Sequence, residues 1–288
     1  AKLFERRVDV TYFGVLAQFI GPPLFGLGAW AWLDARRGQR VGTGLVERWV
    51  WRVLGAHVLI ALVYTTPWDN YLVATGVWWY DETLVTGITL GWVPVEEYVF
   101  FVVQTLMVGL WFLALSRHVF RGRPDAANRP ALRSFSTVLV GLVWAGSVAI
   151  LAAEWQPGTY LGLELAWGLP PIMVQLAFGA DILWARRRLA AAAIVLPATY
   201  LCLVDALAIE SGTWTIDPAQ STQIMVAGGL PIEEVVFFFL TTTLIVFGMT
   251  LMLAEESQPR AARLAAQVMR MIGRGERSED GEKWSALG

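Results

Sequence analysis

The chain has 288 residues, 56% of them apolar and 16% charged, with a mean hydropathy of +0.52, which makes lipid rather than water the natural solvent for most of its surface. A formal net charge of −2 and a pI near 5.8 supply no basic field of the kind nucleic acids require, so that class is excluded. One cysteine, Cys202, and two histidines, His57 and His118, leave no disulfide framework and no Cys- or His-based metal site.

In chain order, apolar runs fall near 11–33, 49–66, 95–115, 134–153, 159–182, 189–208 and 231–253. Each is about 20 residues, enough to cross roughly 30 Å of hydrocarbon as a helix. The first contains Pro22-Pro23 with no small-residue cleavage site behind it, so it is expected to be retained as a span. Arginines then alternate with acids. The segment 34–52 holds Arg36, Arg37, Arg40, Arg48 and Arg52; 116–133 holds Arg117, Arg121, Arg123, Arg129 and Arg133; Arg186, Arg187 and Arg188 follow the fifth run. Segments 67–93, 154–158 and 209–230 carry no Lys or Arg, only acids such as Asp69, Asp81, Glu82, Glu154, Glu210 and Asp217. The positive-inside bias predicts a multi-pass protein of the cell membrane with its N-terminus outside and its C-terminus cytoplasmic. Lys2, Arg6 and Arg7 pull mildly the other way. In the tail, Arg260, Arg263, Arg270 and Arg274 share one face of a helix suited either to the inner leaflet or to solvent.

An internal repeat organises these runs. Asp69, Gly76 and Trp78 match Asp205, Gly212 and Trp214 at a constant offset of 136, and one inserted residue later PVEEYVFF (94–101) matches PIEEVVFF (231–238). GPPLFGLGAWAWLDARR (21–37) loosely echoes LPPIMVQLAFGADILWARRR (169–188). The expected architecture is an all-α membrane protein of about seven helices in a three-plus-one-plus-three parallel repeat. Its parts are a first repeat over 1–115, a cytoplasmic loop and linker helix over 116–158, a second repeat over 159–253 and a tail over 254–288.

Chemistry is expected where polarity is expensive. Glu96, Glu97, Glu233 and Glu234 open two spans directly after Pro94 and Pro231, prolines suited to a first helical turn. Acids there also complement the positive end of the helix dipole. Adjacent helical residues point about 100° apart, however, so one of each pair should face the bundle, and ionisable groups in spans are by default functional. A carboxyl desolvated beside another carboxyl can keep its proton near neutrality and act as a general acid. Asp69 and Asp205 are expected to tune or resupply that proton, or to anchor their loops. Trp78 and Trp214, which keep their repeat position, are candidates to stabilise a cation with their ring faces, whereas other tryptophans there suit an interfacial aromatic belt. Phe100, Phe101, Phe237 and Phe238 serve the same pocket or simply pack.

These residues resemble the membrane lycopene cyclases of the heterodimeric bacterial, archaeal and fungal type, here with both halves fused. The resemblance rests on PWDNYLVATGVWWY (67–80), PVEEYVFFVVQ (94–104), DALAIESGTW (205–214) and PIEEVVFF (231–238). It implies conversion of the acyclic ends of lycopene into ionone rings, with a carotenoid entering sideways from the bilayer. It adds Asn70 and Gln104 to the substrate-facing candidates. Asp205 lacks the Asn that follows Asp69, and Thr242 stands where the family often has Asn, so the halves are expected to differ in role. The reaction moves no net electrons, and no strand, Gly-x-Gly-x-x-Gly and helix fingerprint is present; no cofactor is expected. Rivals are a carotenoid hydratase or C50 carotenoid cyclase, which would share the first protonation, and a small transporter with the same repeat plan. A retinal protein would need a lysine within a span, and the only lysines are Lys2 and Lys283. Ring type, the number of ends cyclised and homo-oligomer formation stay open at this level.

Overall fold

The computed structural model describes residues 10–125, 127–226, 229–267 and 269–270; Lys2, Arg6, Arg7, Arg274 and Lys283 lie outside them. Among the described residues seven helices are long and apolar enough to cross a membrane: α1 (Tyr12–Arg36), α2 (Glu47–Ala74), α3 (Val95–His118), α4 (Pro130–Ala152), α5 (Gln156–Ala185), α6 (Arg187–Ser211) and α7 (Ile232–Leu253). The protein is therefore all-α, consistent with a multi-pass membrane protein. Among the described residues the strands are short: β1 (Trp78–Tyr80), β2 (Thr89–Leu90), β3 (Val93–Pro94), β4 (Trp214–Ile216), β5 (Met225–Val226) and β6 (Leu230–Pro231). β2–β3 and β5–β6 are small hairpins, each leading into a Pro-x-Glu-Glu motif.

Two boundaries differ from the sequence expectation. Helix α2 runs through Pro67 to Ala74, and α6 runs on to Ser211, so both helices continue past the ends of their apolar runs at 66 and 208 and Asp69 and Asn70 lie within α2. Pro67 removes the backbone donor to Val63 O, and around it two side chains add bonds to other carbonyls of the helix, Thr66 Oγ1 to Leu62 O at 2.5 Å and Asn70 Nδ2 to Thr66 O at 2.9 Å. Both helices stop where a glycine adopts positive φ, Gly76 at +70° and Gly212 at +81°.

The proline pairs that mark α1 and α5 free carbonyls that must find other donors. Pro23 leaves Phe19 O without its helical partner, and Tyr200 Oη of α6 donates to it at 2.6 Å. Pro171 leaves Trp167 O, and Tyr64 Oη of α2 donates to it at 2.8 Å. Pro170 leaves Ala166 O, which accepts from Trp144 Nε1 of α4 at 3.2 Å. The 136-residue offset also equates Tyr64 with Tyr200. The second helix of each sequence half thus completes the first helix of the other, and the halves interlock.

Helices α3 and α7 form the buried centre of the bundle and cross where Gln104 Nε2 donates to Thr241 Oγ1 at 2.9 Å. Strands β1 and β4 pair antiparallel at one end, Trp79 opposite Thr215. The arginine-rich segments gather at the other end, where Leu45 bridges Ala254. There Arg117 reaches Glu47 at 2.9 Å, Arg186 reaches Glu256 at 2.8 Å, and Asp181 is clamped between Arg133 at 2.6 Å and Arg260 at 2.7 Å. Arg260 is therefore tied to α5 by its ion pair, while among the described residues Arg263 and Arg270 bond to carbonyls of their own helix.

A candidate acidic active site between the two halves

The extended backbones of Pro94 and Pro231 start α3 and α7, so each glutamate pair occupies a first helical turn. All four side chains are buried, and the two members of each pair diverge. Glu96 Oε1 accepts from Thr86 N at 2.6 Å. Glu233 Oε1 accepts from Thr222 N at 2.7 Å, Thr222 Oγ1 at 2.8 Å and Ser221 Oγ at 3.2 Å. The first glutamate of each pair thus holds the loop before its own helix. Glu97 and Glu234 instead line a shared cavity of about 60 Å³ between the halves.

In that cavity the Tyr12 hydroxyl donates to Glu97, and the Tyr160 hydroxyl donates to Glu234 at 2.6 Å. Asp69 and Asp205 line it as well; neither Asp69 oxygen has a hydrogen-bond partner, nor does Asp205 Oδ2. The remaining wall is aromatic. Trp214 packs on Tyr12 with ring centroids 4.9 Å apart, Trp78 on Tyr160 at 5.3 Å, and Phe237 on Phe238 at 5.2 Å, with Trp68, Phe100 and Phe101 completing it. Trp78 Nε1 donates to Tyr80 Oη at 3.1 Å. Burial first, then the neighbouring Glu97 and Asp69, hold the Tyr80 phenol well above the ordinary tyrosine range, so it remains a proton-bearing donor.

Of the sequence candidates, Glu97, Glu234, Asp69, Asp205, Trp78, Trp214, Phe100, Phe101, Phe237 and Phe238 meet in this cavity. Glu96 and Glu233 face their loops. Asn70 is turned to the β2–β3 hairpin: its Oδ1 accepts from Trp92 N at 2.8 Å and its Nδ2 donates to Tyr98 Oη at 2.9 Å. Gly91, at φ +71°, sits so close to Asn70 Oδ1 that a Cβ would collide with it. Gln104 lies at the α3–α7 crossing, away from the acids. Among the described residues no group of three or more His, Cys, Asp or Glu side chains is arranged to hold a metal ion.

The sequence did not single out Tyr12, Tyr160, Trp68 or Glu164, and it marked Tyr80 only as one of the aromatics near the outer interface. A signal was present for the first two, since the offset that superposes Pro22-Pro23 on Pro170-Pro171 also superposes Tyr12 on Tyr160. Glu164 of α5 is fully buried with neither oxygen partnered. The same offset equates it with Leu16, so the acid environment of Glu234 is richer than that of Glu97.

Comparison with known proteins gives one consistent family. The family model described as "Lycopene cyclase" matches residues 42–115 and 157–252. A lycopene beta-cyclase of Halobacterium salinarum is 39% identical over 247 residues, covering 85% of this chain and 96% of that protein. A bifunctional lycopene cyclase/phytoene synthase of Phaeosphaeria nodorum is 39% identical over 204 residues, 66% of this chain and 34% of that protein. The protein of the same description from Podospora anserina is 35% identical over 205 residues, 68% of this chain and 34% of that protein. No solved structure matches the chain.

Proposed function

This chain belongs to the lycopene cyclase family, and from that premise we infer that it cyclises the acyclic ends of lycopene to ionone rings in carotenoid biosynthesis. The observation that carries the mechanism is the convergence of Glu97 and Glu234, each capped by a tyrosine hydroxyl, on one aromatic-walled cavity.

Ring closure requires a proton at C2 of the terminal alkene, attack of the 5,6 double bond on the resulting C1 cation, and loss of a ring proton. One proton enters and one leaves for each ring, and the product is an isomer of the substrate. We class the reaction accordingly as that of an intramolecular lyase or isomerase, with β the expected ring. Carboxyls this close in a dry cavity cannot all carry charge, because each ionised group raises the cost of ionising the next. One acid of the Glu97, Asp69, Glu234 and Asp205 cluster serves as proton donor, and an ionised neighbour offsets the cation and accepts the departing proton. Tyr12, Tyr160 and Tyr80 hold the carboxyls in place. The faces of Trp78, Trp214 and the phenylalanines exclude water, which would otherwise quench the cation as an alcohol, and their quadrupoles favour the positive intermediate. Glu96 and Glu233 position the loops that roof the site.

The arginine-rich end is assigned to the cytoplasm and the acid cavity to the outer half of the bilayer, following the bias of charge in short loops. The carotenoid is taken from the lipid phase, and no flavin or nicotinamide is needed for a redox-neutral proton transfer. Expressing the chain in a lycopene-accumulating host and separating the pigments tests this function. Cyclic isomers of lycopene are expected; unchanged lycopene, hydrated products alone, or cyclisation only of C50 carotenoids would overturn it.

A further inference from the structure

A second cavity, of about 580 Å³, lies alongside the first between α2, α5 and α7. The two meet at Phe101 and Phe237, which line both. No carboxylate, guanidinium or ammonium lines the larger one. Along α7 it extends from Phe237 to Met252, about 22 Å at 1.5 Å per residue. Ile60 of α2 and Val174 of α5, which line it, are 53% and 69% exposed, so it reaches the outer surface of the helix bundle there. It is a long, uncharged slot that runs from the surface of the bundle to the phenylalanine wall of the acid cavity.

A repeat asymmetry accounts for the slot. The 137-residue offset that equates Pro94 with Pro231 also equates Trp111 with Gly248. In the first half the Trp111 indole fills the crevice between α3 and α6 and donates to Ala192 O at 3.2 Å. In the second half Gly248 lines the slot, and any Cβ there would strike the His57 imidazole. His57 is itself held by Nδ1 against Val53 O at 2.7 Å. Where an indole occupies the crevice on one side, a glycine packed against the His57 imidazole stands on the other.

We propose that this slot holds the conjugated polyene chain of the substrate while its acyclic end occupies the acid cavity, an inference that rests on the cyclase function proposed above. A polyene is rigid, extended and apolar, the slot is long, uncharged and mostly apolar in its lining, and the substrate must lie in lipid with one end beside Glu97 and Glu234. Gly248 sets the clearance for the chain, and Ile60 and Val174 flank its entry.

The test uses the full chain in liposomes with two substrates bearing the same acyclic end: lycopene, and a truncated polyene of about half its length. Three forms are compared: wild type, Gly248→Trp, which copies the other half, and Val174→Trp, whose lipid-exposed position leaves the fold unstrained. Wild type is expected to prefer lycopene by kcat/KM. Both variants should lower that preference by about tenfold or more, chiefly through KM for lycopene, with kcat for the short substrate within about threefold. An unchanged preference in Val174→Trp, or in a folded Gly248→Trp protein, would overturn the assignment and leave the slot to lipid acyl chains. A wild type that cyclises neither substrate would instead overturn the cyclase function itself.

Discussion

Changing adjacent glutamates to glutamine should give opposite results. In Glu234→Gln the amide oxygen still accepts from the Tyr160 hydroxyl, which lies 2.6 Å from Glu234 Oε1, so folding should be nearly unaffected. No carboxyl remains there to give or take a proton, and general acid–base catalysis contributes about 10²–10⁴-fold, roughly 3–5 kcal/mol of barrier. In Glu233→Gln the amide oxygen can accept the same three donors, Thr222 N, Thr222 Oγ1 and Ser221 Oγ. Turnover should then stay within about threefold of wild type. Glu233→Ala loses all three bonds, at about 1 kcal/mol each, so roughly 3 kcal/mol of stability goes with them, while activity per folded molecule falls far less than in Glu234→Gln. The assay is cyclic product by chromatography, normalised to folded protein, beside thermal unfolding of each variant. Equal losses of turnover in Glu233→Gln and Glu234→Gln at unchanged stability would refute the division between a loop-holding and a cavity-facing glutamate.

Three further outcomes follow from the same geometry. Tyr160→Phe leaves a buried acid without its donor and should lower turnover at a stability cost of about 1–3 kcal/mol; wild-type turnover would show that the hydroxyl does not orient Glu234. Gly91→Ala forces a side chain into the left-handed region, at about 1–2 kcal/mol, and displaces Asn70 from Trp92 N; a melting temperature equal to wild type would refute the hairpin's dependence on that contact. Asp181→Ala strands Arg133 and Arg260, and unfolding should become easier by about 3–5 kcal/mol, with no change in which carotenoid ring is made.

Much of the fold was legible because a span must be apolar for about 20 residues, and arginine placement marks the ends. Pro67 and the polar Asp69 and Asn70 misled the boundary of α2, since Asn70 bonds to the helix backbone and the hairpin and Asp69 faces the acid cavity instead of opening a loop. The cavity was legible through the repeated Pro-x-Glu-Glu motif with its Asp and Trp. Helical periodicity says that the two glutamates of a pair diverge, but not which one faces inward; that depends on Thr86 and Thr222, loop residues with no pattern of their own. Tyr12 and Tyr160 were not singled out, because only tertiary contact pairs them with Glu97 and Glu234. Glu164 is a lone acid in an apolar run, and nothing in its neighbours marks it. The slot is lined by residues scattered over several helices, and Gly248 stands out only when its repeat partner, Trp111, is seen to carry an indole at the matching position.

The central claim is that rings form by proton transfer from an exchangeable carboxyl in the shared cavity, without electron transfer. The most direct measurement is cyclisation of lycopene by the purified full chain in liposomes made in D2O, with no flavin or nicotinamide added, followed by mass spectrometry of the product. One deuterium per ring, located at C2, is predicted; rings formed without deuterium, or activity that is lost on stripping flavin and restored by adding it, would contradict the account.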